Sequence, residues 1–358
     1  MAFKILFLSH RFFPDLGGIE TVSEILATNF SKAGHEVHLV TWSTDPANKS
    51  FPFEVIRNPN KHALFQQHLW ADLIFENNPC LRLSWPALFL RRPSVISLHT
   101  WIETPDSRFT LQSKLKYWWL KRAKRVIACS DAIRKQCPAS IIIGNPYQET
   151  KFKILPDIPK TLDFVFVGRL VSDKGVDIAI RAFHNVIKKY GQTANNTNLS
   201  FTIVGNGPER KALEAAVAAL HLEKNIVFAG AIQGDELVEC LNRHRFILVP
   251  STWEEPFGIV ALEGMACGCL PIVSNGGGLP DAVGKAGIVF NRGEIDDLTD
   301  CITGILNNVT LEKKIREAAS EHLKTHYSET VATQYLSVIE SAIKPKYYKD
   351  QSYVFNGM

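Results

Sequence analysis

Short apolar runs alternate with amphipathic segments along most of this chain, and the alternation pauses only once. "FKILFLS" (3–9) reads as a strand, "IETVSEILATNFSKAG" (19–34) as a helix closed by Gly34, and "EVHLVTW" (36–42) as the next strand. "DLIFEN" (72–77), "SVISLHT" (94–100) and "RVIACS" (125–130) continue the series. Strands that alternate with helical patterns build βα units around a parallel sheet. The pause falls at "NPYQETKFKILPDIPK" (145–160), which carries three prolines and little periodicity. The pattern restarts with "LDFVFVGRL" (162–170), a helix over 176–189, "LSFTIVG" (199–205), a helix over 208–220, "NIVFAG" (225–230), "RFILVPS" (245–251) and "LPIVSN" (270–275). The expected fold is therefore α/β, with two doubly wound domains over residues 1–157 and 158–328. A helical pattern over 329–343 opens the last segment, 329–358, which can cross back onto the first domain. Ligands of open parallel sheets sit beyond the carboxyl ends of the strands, so two such sheets facing each other make a cleft.

Length and composition agree with two globular domains: 358 residues, 46% hydrophobic and 21% charged. Seven cysteines, an odd count with no C-x-x-C pair, argue against a disulfide framework and a structural zinc site and favour a reducing, cytoplasmic setting. The apolar start "MAFKILFLSH" is too short for a signal peptide, and no run approaches the roughly 20 apolar residues of a spanning helix. The net charge of +4 hides an asymmetry: residues 1–155 hold 20 Lys+Arg against 12 Asp+Glu, and the remainder 20 against 24. A basic half followed by an acidic half suggests two bodies with different partners.

The stretches that bear chemistry follow directly after predicted strands. Gly17 and Gly18 in "PDLGGIETV" (14–22) permit close backbone approach at a helix N-terminus, a setting that suits phosphate or forms an ordinary tight turn. Arg169 and Lys174 in "GRLVSDKG" (168–175) flank a strand-to-helix turn; they can neutralise a diphosphate or be plain surface cations. Gly205 lies in "VGNGPER" (204–210), a poor dinucleotide fingerprint but a reasonable glycine turn passing a ligand. In "WEEPFGIVALEGMACGCLP" (253–271), Pro256 fits the start of a helix from about Gly258 to Ala266. Glu255 then precedes the helix, Glu263 lies about one and a half turns inside it, and the free amides of Phe257, Gly258 and Ile259 fall between them. Carboxylates that accept from vicinal hydroxyls, beside amides that donate to phosphate, describe a sugar nucleotide; two solvated acids at a helix start are the alternative. His99, which ends the strand "SVISLHT", can bond a substrate hydroxyl or shuttle a proton, or be structural. No G-x-S-x-G, Walker loop, H-E-x-x-H or D-x-D after a strand is present, which disfavours acyl transfer, phosphoryl transfer and metal hydrolysis.

Taken together, "GGIE", "GHEVHLVT", "GRLVSDKG", "IVGNGPER", "VFAGAI" and above all "EPFGIVALEGMACGCLPIVS" make the chain resemble the retaining GT-B glycosyltransferases of family four, with their E-x7-E signature. The likeness runs in order over nearly the whole chain. It implies two Rossmann-like domains around the cleft, an N-terminal one for acceptor and a C-terminal one for nucleotide sugar. It also implies transfer of a sugar, with retention and without a metal or other cofactor, from a nucleotide diphospho-sugar such as a UDP- or GDP-sugar. By resemblance, Arg169 and Lys174 are the diphosphate cations, Gly17 and Gly18 approach the distal phosphate, and Glu263 holds the ribose. Glu255 holds the donor sugar, the amides after Pro256 touch sugar and phosphate, His99 lies near the donor sugar, and Ile232 contacts the base.

Outside the donor site, "SKLKYWWLKRAKR" (113–125) crowds Lys114, Lys121, Arg122, Lys124 and Arg125 around Tyr117, Trp118 and Trp119. Basic residues with aromatic anchors suit an anionic membrane surface, and tryptophans packed in the core are the equal alternative. The basic first half favours peripheral contact at the inner face of the membrane and a lipid-linked or cell-envelope glycan acceptor. Nucleic acid is not an expected partner, because no recognisable module accompanies the charge. A sugar-nucleotide epimerase and a catalytically inactive binding subunit are the rival functions.

Overall fold

The computed structural model describes residues 2–15, 17–103, 110–191 and 199–343. Seven parallel strands form the first sheet: β1 (Lys4–Ser9), β2 (Glu36–Thr41), β3 (Glu54–Arg57), β4 (Leu73–Asn77), β5 (Ser94–Leu98), β6 (Arg125–Ala128) and β7 (Ile141–Ile142). Their spatial order is β3-β2-β1-β4-β5-β6-β7. The second sheet holds β8 (Leu162–Val167), β9 (Phe201–Val204), β10 (Ile226–Gly230), β11 (His244–Val249), β12 (Leu270–Ser274) and β13 (Ile288–Phe290), in the order β10-β9-β8-β11-β12-β13. Every pairing in both sheets is parallel. These are the two Rossmann-like bodies of a GT-B fold. Strand order reverses beside β1 in one sheet and β8 in the other, and a crevice opens at each reversal.

Burial explains the element choice. In β1, β4 and β12 almost every residue is buried, as expected of strands covered by helices on both faces. The short strands β3 and β7 show half-buried or exposed patterns and end the first sheet on either side. They escape the sequence reading because edge strands lack the continuous apolar run.

The C-terminal helix Ser328–Ile343 leaves the second domain and packs on the first. Its Val331, Ala332, Tyr335, Val338 and Ile339 join Phe7, Phe30 and Phe75 in one buried cluster. The tail "KPKYYKDQSYVF" and most of the insertion "GQTANNTNLS" lie outside the described residues. Two strands of chain thus cross between the domains, near residues 143–160 and near residue 326. The crossings are tied together: Ser328 donates to the Glu149 carboxylate, and the His326 ring bonds the Asn145 carbonyl at 2.9 Å.

Candidate functional site

Between the carboxyl edges of the two sheets lies a cleft of about 750 Å³. It gathers Gly17, Gly18, His99, Arg169, Lys174, Glu255, Phe257, Gly258, Ile259 and Glu263 from four separate stretches of chain. Each stretch follows a strand end, which is why residues so distant in sequence converge.

After β8 the chain turns through Gly168 and Arg169 into a single 3-10 turn, Ser172–Lys174, closed by Gly175 in the left-handed region at φ 66°. A Cβ on Gly175 would run into the Pro250 carbonyl, so only glycine lets this turn nest against the loop after β11. The amides of Thr252 and Trp253 donate to the Asp173 carbonyl at 2.9 and 3.1 Å and knit the two loops together. Lys174 is thereby delivered to Glu255, with which it forms an ion pair. The Ser251 hydroxyl lies 2.8 Å from the same carboxylate oxygen. The cation expected for phosphate and the acid expected for sugar therefore hold each other in place. Arg169 is exposed on the rim, and its guanidinium has no partner among the described residues.

Helix Ile259–Ala266 begins at Gly258, whose φ of 111° is another glycine-favouring conformation. The amides of Phe257, Gly258 and Ile259 have no acceptor among the described residues, and they crown the positive end of the helix. Across the cleft, helix Gly18–Lys32 presents its own N-terminus. A Cβ on Gly18 would sit 3.4 Å from Ile259 Cδ1, so the two helix starts are within van der Waals reach. Glu263 is withdrawn into the cleft wall, and its carboxylate takes no hydrogen bond among the described residues. Burial pushes its pKa up to about 7, and the Lys151 charge pulls it back only in part.

The first domain holds the loop ahead of this helix. Trp101 Nε1 donates to the Glu254 carbonyl at 2.6 Å, and the Ser130 hydroxyl donates to the Pro256 carbonyl at 2.7 Å. His99 lies at the end of β5 on the cleft wall but is 4% exposed, with both ring nitrogens engaged. Nδ1 lies 2.9 Å from Asn145 Oδ1 and Nε2 lies 2.8 Å from the Ser97 hydroxyl. Burial lowers its pKa to about 4, so the ring is neutral near pH 7. A proton shuttle at His99 would have to break one of these bonds.

Two chain comparisons place this architecture. Residues 148–322 match the family model described as glycosyl transferases group 1, and residues 16–139 match the model described as glycosyltransferase family 4. The chain belongs to glycosyltransferase family 4. An uncharacterized glycosyltransferase of Methanocaldococcus jannaschii is 33% identical over 162 residues, covering 45% of this chain and 42% of that protein. The gpi3 subunit of the phosphatidylinositol N-acetylglucosaminyltransferase of Schizosaccharomyces pombe is 28% identical over 47% of this chain and 35% of its own length. The chain thus spans less than half of either curated relative. Among solved structures, Anabaena HepE in complex with UDP and glucose superposes with a TM-score of 0.75 at 21% identity, over 95% of this chain and all of that one.

Two residues of the sequence reading do not line the cleft of this family 4 chain. Gly205, at φ 138°, lies behind it, where a Cβ would run into the Gly168 carbonyl; it serves the backbone that carries Arg169. Ile232 packs against the core beside the cleft, and its neighbours Gln233 and Gly234 reach the lining. Asn145, Gln148 and Lys151 line the cleft as well, but they come from the stretch that reads as a linker. Their only sequence signal is adjacency to the domain crossing.

The basic-aromatic segment divides between its two alternatives. Trp119 is buried and donates from its indole to Glu76 Oε1 at 2.8 Å. Trp118 is 48% exposed, and Leu115 and Leu111 are exposed one and two turns before it on helix Leu111–Leu120. Arg122 stacks over both indoles. No helix among the described residues is long and apolar enough to cross a membrane.

Proposed function

We propose that the chain transfers a sugar, with retention, from a nucleotide diphospho-sugar to an acceptor hydroxyl, without a metal ion. The convergence of Arg169, Lys174 and the unpaired amides of Phe257, Gly258 and Ile259 on one cleft carries this reading. Departure of a nucleoside diphosphate builds negative charge on its leaving oxygen. Lys174, held by Glu255, and two helix N-termini are aimed there beforehand, and Arg169 on the rim adds a second positive charge, so that barrier falls. Glu263, with its carboxylate unpaired, takes the ribose hydroxyls. The free oxygen of Glu255 takes the sugar hydroxyls, while its other oxygen remains on Lys174. In the reaction, the bond between the anomeric carbon and the phosphate oxygen breaks. The acceptor oxygen bonds to the same face of that carbon, and its proton passes to the departing phosphate. Trapping a glycosyl adduct on Glu255 would contradict this front-face route. UDP- and GDP-sugars are the proposed donors. Titration of UDP-, GDP- and ADP-sugars in EDTA tests the reading, and no binding by any of the three would overturn it. An epimerase would differ by converting the bound donor without any acceptor.

The acceptor side of this reading is a lipid-linked or cell-envelope glycan, reached from the inner membrane face. Leu111, Leu115 and Trp118 share one exposed helix face with basic residues around it, an arrangement suited to anionic headgroups. Flotation with phosphatidylglycerol vesicles should recover the protein at low salt. Trp118→Ala combined with Arg122→Ala should reduce recovery several-fold. Equal recovery with neutral vesicles, or none at low salt, would reject the idea.

A further inference from the structure

His99 is the end of a hydrogen-bond relay that starts in the returning C-terminal helix. The Tyr335 hydroxyl lies 2.9 Å from the Ser97 hydroxyl, which lies 2.8 Å from His99 Nε2. Asn145 Oδ1 is an acceptor only, so His99 Nδ1, 2.9 Å away, carries the ring proton. Nε2 then accepts, Ser97 must donate to it, and Tyr335 must donate to Ser97. All four side chains are buried, with Tyr335 and Ser97 at 0% exposure. The polarity of the relay is therefore fixed from the helix to the cleft wall. Asn145 is fixed at a second point, because its carbonyl oxygen bonds the His326 ring just before the helix begins. None of Tyr335, Ser97 and His326 lines the cleft.

We infer that Tyr335 and Ser97 are positioning residues: with Nδ1–H fixed by Asn145, they hold Nε2 of the His99 ring and, through that ring, hold the carboxamide of Asn145 against the cleft. The helix that crosses back from the second domain thus sets part of the first domain's cleft wall, beyond bracing the two domains. Tyr335→Phe keeps the ring that packs edge-on against Phe75 and removes only the donor. Ser97 then keeps Nε2 as its acceptor but loses the donor that orients its hydroxyl, so the ring is held less firmly.

This inference rests on the cleft being the site of a nucleotide sugar, and the test separates the two. Imidazole nitrogen spectra of wild type, Tyr335→Phe and Ser97→Ala report the His99 tautomer without any ligand. All three are expected to be Nδ1–H, with the Nε2 resonance of Ser97→Ala moved to that of an acceptor without a donor and that of Tyr335→Phe moved part-way. Binding of UDP and UDP-glucose (with GDP and GDP-mannose as the second pair) is then compared across the three proteins. The nucleoside diphosphate is expected to bind all three equally, because the groups proposed for it lie mainly on the second domain. The added affinity for the sugar, and turnover, should fall about 5- to 10-fold in both variants. An Nε2 resonance unchanged in both variants, or an unchanged ratio of sugar-nucleotide to nucleotide affinity, would overturn the relay. Failure of wild type to bind either pair would instead overturn the donor-site reading and leave the spectral result standing.

Discussion

Lys174→Ala should lower sugar transfer by two to three orders of magnitude while leaving the fold intact. The magnitude follows from removing one charge that stabilises the leaving group, ~3–4 kcal/mol in a water-poor site. A second loss adds to it. Lys174 forms an ion pair with Glu255, and both side chains are mostly withdrawn from solvent. Without the cation, Glu255 keeps only Ser251 on that oxygen and is free to swing away from the position proposed to meet the sugar. Binding of the free nucleoside diphosphate should weaken less than turnover, since Arg169 and the helix amides remain. Kinetics of the variant beside its melting temperature checks the point. A drop of only a few-fold with a normal melting temperature would place the leaving-group charge elsewhere.

The second large effect is a pH dependence centred on Glu263. Its pKa is raised from an ordinary 4.5 to about 7 by burial, so the folded protein holds this proton more tightly than the unfolded chain does. A raised carboxyl makes stability fall as pH climbs from about 4.5 to about 7, and the loss is complete above that window. The full span corresponds to ~3 kcal/mol. Glu263→Gln is neutral at every pH and escapes the loss. Its melting temperature should equal that of wild type near pH 4.5 and exceed it by several degrees at pH 8. The same variant should bind nucleotide sugar more weakly, because a carboxamide cannot accept from two vicinal hydroxyls as a carboxylate does. Stability and binding would thus move in opposite directions, as expected of a charge buried for a ligand. Parallel melting curves for both proteins from pH 4.5 to 8 would show that Glu263 is ordinarily ionised.

The central strands and the cleft rim were legible in the sequence because they follow one rule each. Strands buried on both faces, such as β1 and β4, are unbroken apolar runs, and rim residues come directly after them. Arg169, Lys174, Glu255 and Glu263 announce themselves in this way. The edge strands β3 and β7 were not legible, since a half-exposed strand of two to four residues carries no distinct period. Pairings between distant residues were equally invisible. Lys174 meets Glu255 across 81 positions, and Ser97 meets Tyr335 across 238. A single sequence gives His99 its place at a strand end, but its ring partners come from that strand and a domain crossing, and Tyr335 of the returning helix reaches it through Ser97. For that reason the sequence leaves a substrate bond, a proton shuttle and a structural role all open for this ring, and in the structure both of its nitrogens are engaged.

Calorimetric titration of UDP-, GDP- and ADP-sugars into the metal-stripped protein in EDTA tests the central claim most directly. One of them should bind at one site per chain, with an affinity unchanged when magnesium or manganese replaces EDTA and lowered at least tenfold by Arg169→Ala. Binding that appears only after the divalent ion is restored, or that is indifferent to Arg169, would contradict the account.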